Sequence, residues 1–143
     1  MKYFLIILIS YSFACTTQFP TTVSSNLEQI IYLQKTPCFG NCPEYEIVIF
    51  RNGEANYIGK RNVEVIGERS LSITEREIKK ILSFAKKINF YLMEDEYSEK
   101  ITDLPTTYIQ IKNKKIIDYI GAPKELKKLE DKIENLIFKK IVK

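Results

Sequence analysis

The sequence predicts an α+β domain: an antiparallel sheet of hairpins and a meander, packed on one face by two amphipathic helices, in the rough order β-β-β-β-α-β-β-α. Three observations carry this expectation. Alternating segments flank Asn52-Gly53, a strong hairpin signal. A capping box at Thr74-Glu75-Arg76-Glu77 then switches the apolar period from two to about 3.6. A second helical period closes the chain after Gly121-Ala122-Pro123. Strands segregated from helices in this way make one sheet with a helical cover.

The first strand is expected over Leu27 to Lys35, rich in Ile, Leu and Tyr. Glu44 to Arg51 and Glu54 to Lys60 form the hairpin. A two-residue type I′ turn at Asn52-Gly53 would set Val48 opposite Tyr57 and Phe50 opposite Ala55 on one face, with Ile47 facing Ile58 on the other. Asn62 to Arg69 extends the meander by one strand. In the helix begun by Thr74, Ile78, Ile81, Leu82, Ala85 and Ile88 share a stripe, and Ile73 is placed to staple onto Ile78. An aromatic and acidic loop runs from Phe90 to Asp103. Thr106 to Lys112 and Lys115 to Ile120 make a second hairpin about Asn113-Lys114, a weaker signal because Gly is missing. Pro123 stands at or near the first position of the last helix, whose stripe is Leu126, Leu129, Ile133, Leu136, Ile137 and Ile141.

The N-terminus has a different character. Met1-Lys2 precedes an uncharged apolar run, Tyr3 to Phe13, that spans roughly 16 Å as a helix, about half of a hydrocarbon core. That length suits a signal peptide better than a membrane span. Ser12-Phe13-Ala14-Cys15 resembles a bacterial lipobox, with Ser12 where Leu is usual, and makes Cys15 a lipid attachment point. Ser12 and Ala14 also satisfy ordinary signal cleavage, and an uncleaved anchor is a third reading. Acylation of Cys15 would leave an even pair of cysteines, Cys38 and Cys42. The expected organisation is a signal peptide at 1–14, a Thr- and Ser-rich tether at 15–26 and one domain at 27–143. The tether lacks an acidic run after Cys15, which favours a periplasm-facing protein of the bacterial cell envelope.

Composition narrows the function classes. The chain has 45% hydrophobic and 28% charged residues, as ordinary globular domains do. A formal charge of +4, falling by one without Lys2, is too mild to imply nucleic acid. There is no histidine, which removes Ser-His and Cys-His activation and the commonest general base. Ser83-Phe84-Ala85-Lys86 matches Ser-x-x-Lys without its companion motifs and is read as chance. Glu94, Asp95, Glu96, Glu99 and Asp103 do not follow a calcium-loop pattern and are read as a solvated acidic loop. Within that loop Asp103, ahead of Leu104-Pro105, is placed to accept backbone N–H bonds and fix the entry into the next strand. Lys-rich positions on the final helix alternate with Glu125, Glu130, Asp131 and Glu134, a pattern read as an ordinary solvated surface.

Cys38 and Cys42 lie in a Pro-Cys-Phe-Gly-Asn-Cys-Pro turn, where Pro37, Gly40 and Pro43 exclude a regular helix. A structural disulfide, with Phe39 and Tyr45 packed beside it, is the leading expectation. Redox activity is the alternative, although thioredoxin-like sites use Cys-x-x-Cys before a helix. Zinc would want about four ligands, and the domain supplies too few.

Leu33 leading into Pro37-Cys38-Phe39-Gly40-Asn41-Cys42-Pro43-Glu44-Tyr45 resembles an uncharacterised domain family of small bacterial envelope proteins, many of them predicted lipoproteins. Its members carry a Cys-Phe-Gly-x-Cys-Pro-x-Tyr signature. The likeness continues through Asn52-Gly53, Tyr57 with Gly59, Val63 with Gly67, the helix after Ile73, Tyr97 with Asp103 and Pro105, and the final helix, over roughly residues 28–138. The resemblance implies one small domain and carries no activity, cofactor or ligand. The expectation for function is therefore a non-enzymatic, lipid-anchored module without cofactor or metal. It would bind another envelope protein or a small ligand, with Phe39, Tyr45, Tyr97 and Asp103 as candidate loop or ligand residues. A thiol–disulfide participant using Cys38 and Cys42 is the alternative.

Overall fold

A computed structural model describes residues 28–99 and 103–142. The expected signal peptide, Cys15 and the tether lie outside the described residues. The elements are β1 (Gln29–Lys35), β2 (Glu44–Phe50), β3 (Glu54–Arg61), β4 (Gly67–Ser72), α1 (Glu75–Lys87), β5 (Glu96–Tyr97), β6 (Thr107–Ile111), β7 (Lys114–Asp118) and α2 (Lys124–Ile141), with a 3-10 turn at Phe90–Leu92. The expected α+β class and element order hold, with one short addition, β5. The strands form a single sheet in the order β4-β3-β2-β1-β6-β7-β5. Every neighbouring pair is antiparallel except β5 with β7.

Alternation sorts the sheet into a dry face and an open one. Cross-strand rows on the dry face read Ala55-Ile49-Ile31-Ile111 and Tyr57-Ile47-Leu33-Ile109-Ile116, all buried. Ile78, Ile81 and Ala85 of α1 and Leu126, Leu129, Ile133 and Ile137 of α2 complete the same core. Tyr32, Val48, Phe50 and Tyr108 point the other way and are half-buried. A bulge between Gln29 and Ile31 turns Ile30 inward beside Ile31.

The capping box forms as expected. Thr74 Oγ1 accepts from the Glu77 N–H at 3.3 Å, and the Thr74 N–H donates to Glu77 Oε2 at 2.8 Å. Ile73 and Ile78 are both buried, as the staple requires. α1 stops at Ile88, after which Asn89 adopts φ 55°.

Three local expectations are corrected. The first hairpin pairs Ile47 with Tyr57 and Ile49 with Ala55, one residue away from the expected register. Its loop has three residues, Arg51 to Gly53, and the Gly53 N–H donates to Phe50 O. Only Gly53 takes positive φ, 90°, so the loop is a type I turn closed by a left-handed glycine rather than type I′. Because strand faces alternate, the slip turns Ile47 and Ile49 inward and leaves Val48 and Phe50 outside. A Cβ on Gly53 would also lie 2.5 Å from Ile73 O.

The fourth strand runs over 67–72, not 62–69. Asn62 at φ 54° breaks the chain away after β3, and residues 62–66 fold back over Gly59, where the Tyr57 hydroxyl donates to Val65 O at 3.0 Å. A Cβ on Gly59 would sit 2.0 Å from that oxygen, so only glycine admits the crossing. The second hairpin turns at Lys112-Asn113, one residue early, with Lys112 at φ 53°.

Candidate functional site

The apolar rows of the dry face give way to a polar row at one end of the sheet. Register sets Tyr45 beside Lys35, Lys35 beside Thr107, and Thr107 beside Asp118, across β2, β1, β6 and β7. Tyr45, Thr107 and Asp118 are buried, Asp118 to 1% exposure. α2 covers this row with Lys127, Glu130, Glu134 and Phe138, which recur at helical spacing. Glu130 is 2% exposed.

The buried charges are paired across these elements. Lys35 Nζ lies 2.5 Å from Glu134 Oε1. Lys127 Nζ pairs with Asp118 Oδ2 and stands 3.6 Å from Glu130 Oε2. Asp118 Oδ1 and Glu130 Oε1 are buried without a hydrogen-bond donor among the described residues. Two carboxyl groups in one dry site do not both ionise readily. Burial, reinforced by the neighbouring Asp118 carboxyl, pushes Glu130 up to about 8, against the opposing pull of Lys127 and Lys35. At neutral pH Glu130 is therefore mostly a neutral acid. Burial works to lower Lys127, but its bond to Asp118 and the charges of Glu130 and Asp118 prevail and hold it above its ordinary value.

An aromatic trio stands beside this cluster. The Tyr45 and Phe138 rings meet edge to face at 5.2 Å, Tyr57 and Phe138 at 6.1 Å, and Tyr45 lies tilted on Tyr57 at 6.1 Å. Burial, then the neighbouring Glu134 charge, raises the Tyr45 phenol far above its usual range, so it stays protonated.

Two cavities open on either side of Lys35 and Pro43, which line both. The first, about 250 Å³, is walled by the aromatic trio with Val63, Val65 and Ile141, and has Lys35 and Glu134 as its charged pair. The second, about 330 Å³, is lined by Leu104, Pro105, Thr107 and Tyr119 with Lys127, Glu130 and Asp131. Small-molecule sites combine an apolar wall with a few convergent polar groups, typically in roughly 300–1,000 Å³. Both cavities have that composition, at or just below the lower end of the size range.

Cys38 and Cys42 form a disulfide, with Cα atoms 5.7 Å apart. The bridge closes the loop that leads through Pro43 into Tyr45. The Asn62 amide donates to Cys42 O at 3.0 Å, so the β3–β4 connection is tied to the same loop. Both strands of chain that frame the first cavity are thus braced at one point.

The expected site residues separate. Tyr45 lies at the centre of the cluster. Phe39 does not pack beside the disulfide: it is 91% exposed at the loop tip, because a ring closed by two residues so near in sequence turns its middle outward. Tyr97 belongs to β5, and its hydroxyl accepts from the Glu94 N–H at 3.3 Å. Asp103 is exposed at φ 76°, at the entry to β6. Phe90, expected in the loop, is fully buried in the core. Among the described residues there is no group of three metal-ligating side chains, and no helix is long and apolar enough to cross a membrane.

Sequence reasoning missed Lys35, Asp118, Lys127, Glu130 and Glu134. The alternation of lysines and acids makes Glu130 look like solvated surface, yet it stands four residues after Leu126 and three before Ile133, inside the apolar stripe. That placement is the signal that identifies it. Asp118 is two residues beyond inward-facing Ile116 and follows the same alternation.

No curated protein and no solved structure matches the chain. A family model described as a domain of unknown function, DUF6438, matches residues 29–137, from the first residue of β1 to within four residues of the end of α2. With most of its length matched, sheet and helices together, this chain belongs to the DUF6438 family.

Proposed function

We propose that this chain is a non-enzymatic binding module of the bacterial cell envelope, anchored by a lipid on Cys15 and facing the periplasm. Its ligand seat is the cavity pair beneath α2. The disulfide-braced cavities on either side of Lys35 and Pro43 carry this reading. A bridge of this kind persists in oxidising compartments, which agrees with export. An apolar wall ending in buried polar groups suits a small ligand, or the side chain of a partner protein, with an apolar body and a polar end.

The test is affinity capture of natively produced protein from envelopes, with intact-mass analysis of the same sample. Expected are loss of residues 1–14, a diacylglyceryl adduct on Cys15, and a retained partner or ligand that Tyr45→Ala no longer holds. An unprocessed Met1 terminus with free thiols would refute the location. Substrate turnover by the purified protein would refute the non-enzymatic assignment.

The thiol–disulfide reading has one observation in its favour, the exposed loop that carries the bridge. Reduction potential separates the two. A structural bridge is expected below about −300 mV, whereas oxidoreductase-like sites lie between about −270 and −120 mV.

A further inference from the structure

The charges around the second cavity do not cancel within the protein. Lys35 is taken up by Glu134, and Lys127 chiefly by Asp118, with Glu130 Oε2 3.6 Å from the same ammonium group. That leaves two lining carboxyl groups, Glu130 on the buried side and Asp131, exposed at the rim and without an ion pair among the described residues. Glu130 Oε1 is buried and receives no donor from the described residues. Pro43, Leu104, Pro105 and Tyr119 contribute apolar surface to the same cavity. The site offers acceptors and an aliphatic and aromatic surface, the combination that recognises an amine rather than a carboxylate or phosphate.

We propose that this cavity binds an organic ammonium ion bearing a short apolar chain, whose N–H groups donate to Glu130 and Asp131 while the chain packs on Pro43, Leu104, Pro105 and Tyr119. The inference rests on the binding-module reading above and names the ligand class of one of its two cavities. Its proton balance is explicit. The empty site keeps a proton on Glu130, because Asp118 of β7 faces it in a dry environment; the ammonium ion replaces that proton, which leaves to solvent. The other charged or titratable groups acting on Glu130 or lining its cavity are Lys127 and Asp131 of α2, Lys35 of β1, Tyr45 of β2 and Tyr119 after β7. With Glu130 held near 8, affinity for an amine that stays protonated over this range rises with pH from 6 towards 8 and then levels, the whole rise being the factor by which the ammonium ion prefers ionised to protonated Glu130.

The experiment titrates the full-length protein in nonionic detergent with n-butylammonium, butanol and butyrate, calorimetrically, between pH 6 and 9. Two buffers of different ionisation heat are used. Expected is butylammonium binding at least about tenfold tighter than butanol at pH 8.5, the value of one charge-assisted contact, with about half a proton released near pH 7.5. Glu130→Gln should lose that advantage and flatten the pH profile. Asp131→Asn, at an exposed rim that leaves folding intact, should weaken binding by up to about fivefold.

Butylammonium no tighter than butanol, tighter binding of butyrate, or no proton release each overturns the inference. So does a folded Glu130→Gln protein with unchanged affinity. If Glu130→Gln fails to fold, proton release by the wild type and the Asp131→Asn loss decide alone. Failure here leaves the envelope-module reading standing, because that reading is decided by Cys15 processing, turnover and the Tyr45-dependent ligand.

Discussion

Glu130 is the residue on which the interior electrostatics turn. Its acid is held near 8 in the folded chain, against about 4.3 when unfolded, so between those values the native state binds the extra proton. A raised carboxyl constant means that its stabilising contribution is complete below about pH 4.3 and is lost as pH climbs through about 8. The decline reaches up to about 1.4 kcal/mol per pH unit. In urea unfolding from pH 5 to 9, the wild-type midpoint is expected to fall, and Glu130→Gln to lose that part of the fall. Equal slopes would contradict the assignment. Glu130 was legible in principle from the Leu126–Ile133 stripe, but a glutamate among lysines on a helix looks solvated until its neighbours are known. The lysine that pairs with Asp118 and the carboxyl that faces it come from α2, the next element, and meet it only because that helix folds back over the end of the sheet. Phe39 shows the opposite error: an aromatic next to a bridge looks like packing, yet the closed ring leaves it in water.

At the scale of elements, α1 illustrates how much a local motif decides. Thr74 and Glu77 satisfy two backbone donors reciprocally, and Glu77 also meets Lys140 of α2 at 3.2 Å. The backbone bond at Thr74, followed by the Thr74 hydroxyl and Lys140, holds the Glu77 carboxyl below its usual value despite some desolvation. Thr74→Ala removes the cap and is expected to cost about 1 kcal/mol, read as a lowered thermal midpoint with unchanged helix content. Helices and caps were legible because they depend on residues within one turn of each other. Hairpin registers were less so. Asn-Gly signals a turn but does not choose between a two-residue loop and a three-residue loop closed by glycine. Here Ile73 resolves the choice, since its N–H donates to Gly53 O at 2.7 Å from beyond β4. The strand β5 was invisible for a related reason: two residues carry no period, and they pair only because β7 offers an open edge.

For the whole molecule, the bridge and the core contribute separately. The sheet rows and the two helix stripes bury a continuous core that does not include the Cys38–Cys42 loop. Replacing both cysteines by serine is expected to lower stability by about 2 kcal/mol, the chain-entropy value for so short a ring. The urea dependence should keep its slope, because the surface exposed on unfolding is the same. A loss of cooperative unfolding would show instead that the loop holds the fold together. The amino-acid order by itself determined the α+β class, the sequence of long elements, the capped helix and the pairing of two cysteines four residues apart. Those follow from periodicity and short-range bonding. Only the tertiary structure decided which face of the β2–β3 hairpin is buried and which charges share the row from Tyr45 to Asp118. The physical reason is that register and ion pairing depend on which elements pack together, as Ile73 on Gly53 and Glu134 on Lys35 do, and residue types within one element do not specify their partners in another.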